Sequence, residues 1–263
     1  MTLPMFKPED GPGPNFTELL RKVGVDPFSS VRSDRSATFD IRHGTTIVAI
    51  RYSDGVVMAG DRRATAGSSI AHRTMDKVFP AGRHSGVAIA GAAGPAMDMV
   101  KLFQLQLEHY EKVEGEPISL EGQANQLSQM VRSNLAMALQ GFVVVPLFAG
   151  FDTRRGVGRI YTYDATGGRY EETDFHADGS GGRDARTTVK LGWRPDLSRE
   201  EAIELAVNAL WQAADEDSAT GGPDAVRGIY PTVATITAEG FIPVPEPEVA
   251  ERFASVIAGV TNR

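Results

Sequence analysis

The patterning of the chain changes abruptly at the Gly44–Thr45 bond, and that change constrains the fold more than any other feature. Up to Gly44 the sequence carries Pro4, Pro8, Pro12, Pro14 and Pro27 with Gly11 and Gly13. Such a stretch resists regular structure and reads as a linker or pro-segment. One short helix is expected in it, over Phe16–Val23, with Asn15 as cap and Leu19, Leu20 and Val23 on one face. From Thr45 the residues alternate. Thr46, Val48 and Ile50 face one way, and Ile47 and Ala49 the other, as a strand requires. Cutting the Gly44–Thr45 bond would give Thr45 a free α-amine beside its own hydroxyl.

The rest of the chain reads as blocks. Ser53-Asp54-Gly55 is a hairpin signal leading into Val56–Ala59, and another strand is expected over Gly86–Ile89. Met97, Val100, Phe103, Leu107 and Tyr110 then form one stripe at helical spacing, and Leu127, Val131, Leu135, Ala138 and Leu139 a second. Gly115 and Pro117 separate them, and both stripes read as core. Strands return at Val143–Phe151, Arg159–Tyr163 and Tyr170–His176, with Ala165-Thr166-Gly167-Gly168 as a turn. Helices are expected over Gly182–Leu191 and Ser198–Ala214, the latter with a capping box of Ser198 and Glu201. Pro231–Thr237 is a late strand. Strand and helix blocks segregated in this way predict an α+β layered domain rather than a doubly wound sheet.

Composition removes several classes of function. A formal charge of −7 argues against broad phosphate contact with nucleic acid. The absence of cysteine excludes disulfides, thiolate nucleophiles and cysteine metal sites. The five histidines, His43, His72, His84, His109 and His176, lack metal-ligand spacing, so neither a metal nor another cofactor is expected. No apolar run approaches the roughly 18 residues that cross a bilayer. The first residues have neither the basic start nor the apolar stretch of a secretory signal, so a cytoplasmic location without membrane contact is expected. Gly179-Ser180-Gly181-Gly182 suggests a serine elbow, but Asp178 stands where that motif needs glycine.

The chemistry therefore rests on Thr45. An α-amine has an ordinary pKa of about 7.7–8, so much of it is neutral near physiological pH. It can accept the Thr45 hydroxyl proton directly or through a water. The β-methyl restricts χ1 and helps to hold Oγ1 in an attacking direction.

Thr45-Thr46-Ile47-Val48-Ala49, Gly60-Asp61-Arg62-Arg63-Ala64-Thr65 and Lys77 together resemble the β subunits of 20S proteasomes of the actinobacterial type. The resemblance continues through Ala90-Gly91, Gly179-Ser180-Gly181 and Asp217-Ser218-Ala219-Thr220-Gly221-Gly222-Pro223-Asp224. Each motif is weak alone; their joint order is specific. The resemblance implies the four-layer αββα sandwich of N-terminal nucleophile hydrolases. It also implies a catalytic domain over 45–263 behind a pro-segment, 1–44, that the enzyme removes itself at Gly44-Thr45. Lys77 would favour the developing alkoxide, Asp61 would hold Lys77, and the Gly91 amide would donate to the oxyanion. Ser180, Asp217 and Thr220 would surround the terminal amine, with Thr220 standing where the family usually has serine.

By the same resemblance Ala64, Met75, Ile89, Ala93 and Met97 line the pocket for the residue before the cut. All are small or apolar, which implies a chymotrypsin-like preference. Thr65, Gly91 and Ala93 would bond the substrate main chain as an added strand. Implied partners are identical β subunits in seven-membered rings, α subunits flanking them in an α7β7β7α7 stack, a ring-shaped unfolding ATPase and unfolded protein substrates. Three alternatives stay open: a two-ring bacterial peptidase using the same threonine, a catalytically silent ring subunit, and an N-terminal nucleophile amidase acting on small molecules.

Overall fold

Alternation along the first strand sets the layering of the whole domain. The computed structural model describes residues 44–261; the leader expected over 1–44 and its helix lie outside the described residues, except for Gly44. The chain begins with β1 (Thr46–Tyr52), β2 (Gly55–Gly60), β3 (Ala64–Ala66), β4 (Ser69–His72), β5 (Val78–Pro80) and β6 (Ser85–Gly91). Helices α1 (Ala93–Glu114), α2 (Leu120–Ser133) and the single turn α3 (Leu135–Ala138) follow. Next come β7 (Val144–Asp152), β8 (Val157–Tyr163), β9 (Arg169–Glu172) and β10 (Phe175–Gly179). Helices α4 (Gly182–Gly192) and α5 (Arg199–Glu216), strands β11 (Thr232–Thr237) and β12 (Gly240–Pro243), and helix α6 (Glu246–Thr261) complete the order.

Two antiparallel sheets result, β10-β1-β2-β11-β12 and β5-β6-β7-β8-β9, with β3-β4 as a separate small ribbon. Three apolar seams hold the layers together. Val48, Ile50, Val57 and Ala59 meet Ile203, Val207 and Leu210 of α5 in the first seam. From the opposite face of the same strands, Ile47, Ala49, Val56 and Met58 meet Ala88, Leu147 and Ile160 of the second sheet. Val87, Ile89, Phe148 and Tyr161 then pack against Val100, Phe103 and Leu127 of α1 and α2. Three seams require four layers, so the domain is the αββα sandwich. Phe103 and Phe148 meet edge to face at 5.9 Å across the third seam. Truncating either fully buried ring would cost about 3–5 kcal/mol.

The structure departs from the sequence reading in three places. The strand expected over 170–176 is two strands in different sheets, because the chain crosses between layers at Thr173-Asp174, where Arg51 holds both carbonyls. The stripe from Leu127 to Leu139 is interrupted at Asn134, and Leu139 is exposed, as is Tyr110 of the first stripe. Strands β3, β4, β5 and β12 and helix α6 were not expected; four short strands fall below the length at which alternation is readable. The capping box of Ser198 and Glu201 is present.

Candidate active site

Strand ends converge on Thr45. Strand β1 starts one residue beyond it, and the antiparallel register of Thr46 with Gly179 brings Ser180 alongside. The Ser180 amide donates to the Thr45 carbonyl at 2.8 Å. Strand β2 pairs Gly60 with Ile47, so Asp61 follows at the same end, its amide donating to the Thr46 carbonyl at 3.0 Å. Lys77 precedes β5, Gly91 ends β6, and Asp217 caps the C-terminus of α5.

One side of Thr45 is built on charge. Asp61 is fully buried and Lys77 is nearly so. Both oxygens of Asp61 are occupied: Oδ1 accepts from the Thr46 amide at 2.8 Å and Lys77 Nζ at 2.6 Å, and Oδ2 from the amides of Arg63 and Gly221, each at 2.9 Å. The Lys77 ammonium also donates to the Arg63 carbonyl at 2.6 Å and to the Gly44 carbonyl at 3.3 Å. These bonds use all three of its hydrogens. Burial pushes the Lys77 pKa below its ordinary value, while the charge and hydrogen bond of Asp61 resist that shift.

The other side is built on hydroxyls. The Thr45 amide nitrogen donates to Ser180 Oγ at 3.2 Å. Ser180 Oγ lies 2.5 Å from Asp217 Oδ2, and Thr220 Oγ1 donates to the same oxygen at 2.6 Å. Burial alone would raise the Asp217 pKa. The Ser180 and Thr220 hydroxyls, with the amides of Ala219 and Thr220, outweigh it and hold the carboxyl below its ordinary range.

That ionised carboxylate fixes the direction of its neighbours. It can only accept, so the Ser180 hydroxyl hydrogen points to it and the Ser180 lone pairs face the Thr45 nitrogen. Were that nitrogen an amine, Ser180 would accept one of its hydrogens and leave the lone pair open to the Thr45 hydroxyl proton.

The junction itself is tightly enclosed. A Cβ at position 44 would lie 1.9 Å from the Ala219 Cβ and 2.5 Å from its carbonyl oxygen, so the close approach requires glycine. The Gly44 amide donates to Thr65 Oγ1 at 3.2 Å. Gly91 has φ of +108°, and a Cβ there would strike the Val143 carbonyl at 2.1 Å. Just beyond, the N-terminus of α1 opens on the same space, its positive end suited to an oxyanion.

A small pocket beside Gly44 and Thr45 is lined by Ala64, Met75, Ile89, Ala93 and Ala96, with Asp76 and Lys77 in its wall. Met97 is not part of it and packs instead against the core between α1 and its sheet. Asp76 adds a carboxylate to a wall that the sequence reading took as uncharged. It is engaged by Thr232 Oγ1 at 3.0 Å and Arg62 at 3.5 Å. Thr46, Arg63 and Ala219 were not singled out from sequence, since Arg63 acts through its carbonyl, Ala219 through its bulk, and Thr46 reads as an ordinary strand residue. Among the described residues no group of His, Asp or Glu is placed to hold a metal ion, and no helix is long and apolar enough to cross a membrane.

Comparison with known proteins adds a family. The family model described as proteasome subunit matches residues 41–227. A proteasome subunit beta of Acidimicrobium ferrooxidans is 57% identical over 263 residues, all of this chain and 96% of that protein. A proteasome subunit beta of Streptomyces griseus is 59% identical over 215 residues, 82% of this chain and 76% of the relative. One from Thermomonospora curvata, called proteasome subunit beta 2, is 50% identical over 95% of this chain and 90% of its own length.

Proposed function

The chain belongs to the proteasome subunit family, in its β branch, and on that premise we propose that it is the proteolytic subunit of a core particle. It acts as an N-terminal threonine endopeptidase that frees its own nucleophile by cutting the Gly44–Thr45 bond. One observation carries the reading: Lys77, held by the buried Asp61, donates to the Gly44 carbonyl while Ser180 accepts from the Thr45 amide, so both ends of one peptide bond are gripped.

Maturation then proceeds in two steps. Thr45 Oγ1 attacks the Gly44 carbonyl carbon, the C–N bond breaks, and the hydroxyl proton ends on the departing Thr45 nitrogen. Water hydrolyses the resulting ester, releasing a chain that ends in the Gly44 carboxyl and leaving a free amine on Thr45. With Gly44 gone, the third Lys77 hydrogen is released toward the Thr45 hydroxyl, where its charge favours the alkoxide.

For a substrate, the amine takes the Thr45 Oγ1 proton as Oγ1 attacks, and later gives it to the leaving nitrogen. The Gly91 amide and the start of α1 stabilise the oxyanion. A water then cleaves the acyl ester. The apolar pocket, with its Asp76 carboxylate engaged by Thr232 and Arg62, favours large apolar side chains before the cut. The particle this reading requires combines seven-membered β rings with flanking α subunits. A ring-shaped ATPase in the cytoplasm feeds unfolded proteins into it.

N-terminal sequencing of the assembled particle tests the proposal, with Thr45→Ala alongside. The wild-type β chain should begin at Thr45 and hydrolyse peptides, whereas the variant should keep its leader and lose hydrolysis. A peptide-hydrolysing particle whose wild-type chain retains residues 1–44 would overturn it.

A further inference from the structure

Thr46 occupies the point where the two sides of the site meet, and the established motifs give it no role. It is fully buried. Its amide donates to Asp61 Oδ1 at 2.8 Å, on the charged side. Its Oγ1 accepts from the Gly181 amide at 3.0 Å and lies 2.6 Å from Thr220 Oγ1, on the hydroxyl side.

The direction of that last contact follows from valence. Thr220 has one hydroxyl hydrogen, and the Asp217 carboxylate takes it at 2.6 Å. The Thr220 oxygen must therefore accept from Thr46. A single directed chain results, from the Gly181 amide through the Thr46 and Thr220 hydroxyls to Asp217 Oδ2. The same oxygen receives Ser180, which faces the Thr45 nitrogen. Room for the chain depends on Gly181, where a Cβ would fall 2.6 Å from Thr46 Oγ1 and 2.8 Å from Thr220 Oγ1.

We propose that Thr46 is a positioning residue for the threonine peptidase reaction: its hydroxyl locks Thr220 and Asp217 in the arrangement that turns Ser180 into an acceptor for the Thr45 amine. The inference rests on the peptidase reading above. In each hydrogen-bonded chain a donor polarises the next link, so removing Thr46 Oγ1 loosens a carboxylate it never touches. Replacement by valine leaves the Gly181 amide and a Thr220 lone pair buried without partners. Thr220 is then free to rotate away from Asp217.

The test compares assembled particles, with turnover expressed per β chain that begins at Thr45. Thr46→Val should lower kcat about tenfold or more with KM little changed, and Thr46→Ser should restore most of the loss. In an Asp217→Asn background, Thr46→Val should cost no further activity, because the hydroxyl acts only through that carboxylate. Equal losses in both backgrounds, or a valine variant whose kcat matches the serine variant, would overturn the proposal. Should the valine variant not assemble, Thr46→Ala and Thr46→Ser differ by the hydroxyl alone, and equal kcat in that pair has the same force. Wild-type particles and Thr45→Ala are measured first: activity in Thr45→Ala would sink the peptidase reading itself, separately from this one.

Discussion

Asp61 and Asp217 flank Thr45, yet they are satisfied by different means. Asp61 is fully buried and accepts from an ammonium and three backbone amides, whereas Asp217 is half-buried and is held by two hydroxyls and local amides. In the first arrangement the burial of Lys77 opposes folding. Lys77 has a pKa lowered by burial, so between its folded and unfolded values the unfolded chain binds more protons. Stability in that window rises with pH, which means that below it the charged lysine costs stability. The second arrangement favours folding, since Asp217 is more easily ionised in place than in the unfolded chain. On the proposed peptidase reading the contrast separates two tasks: Asp61 and Lys77 would supply charge where burial disfavours it, and Asp217 would supply direction where its ionisation favours folding.

The strongest way to break this comparison is Asp61→Asn. It strands the Lys77 ammonium among the Arg63 and Gly44 carbonyls without a counter-charge. Removing one partner of a buried pair costs about 3–5 kcal/mol. Thermal denaturation should show the loss, and mass spectrometry should find an uncut chain with peptide hydrolysis reduced about a thousandfold or more. Adding Lys77→Met should recover most of the stability and none of the activity. If the double variant stays as unstable as the single one, the pair is not the cost described.

Asp217→Asn comes next, and it should spare the fold. An amide can donate to Ser180, which then turns its own hydrogen toward the Thr45 amine and occupies the lone pair needed for catalysis. The expected loss is about a hundredfold to a thousandfold in kcat, with KM little changed. Acid denaturation supplies the sign. The folded pKa of Asp217 lies below the ordinary value of about 3.9, so its stabilisation is complete above that pH and is lost as pH falls through the folded value. The stability gap between wild type and variant should therefore be constant above about pH 4 and shrink below it. A gap that persists in acid would place its origin in packing instead of ionisation.

The same contrast explains how much of the molecule was readable in sequence. Val48 against Ile47, and Val57 against Met58, carry the alternation that puts β1 and β2 between two seams, so the layering was legible. The crossing at Thr173 was not, because no glycine or proline marks it and only the pairing partners reveal the change of sheet. Asp61 and Lys77 stand out only through family motifs, because two charged residues that far apart in sequence carry no local sign of a pair. Thr46 stayed hidden because its side chain meets Thr220 across a sequence gap that no local pattern spans. Arg63 accepts from Lys77 through a carbonyl that every residue possesses. The resemblance places Met97 in the pocket; Ala96 and Met97 both lie one helical turn beyond Ala93, and Ala96 is the one that lines the cavity beside Thr45 while Met97 packs against the core.

The smallest effect sharpens the comparison most finely. Thr220→Ser keeps the hydroxyl that serves Asp217 and removes only a methyl from a fully buried side chain. If the hydroxyl side of the site works by direction alone, stability and activity should respond by different amounts. Losing one buried methyl should cost about 0.8 kcal/mol or slightly more. For a domain of this size that lowers Tm by about 2–4 °C. Turnover should fall only about twofold to threefold, because the shorter side chain samples rotamers that turn its hydrogen away from the carboxylate. A tenfold fall in kcat with that small change in Tm would mean the methyl, not the hydroxyl, holds the chain from Thr46 to Asp217 in register. Packing would then direct this side of the site as much as hydrogen bonding does.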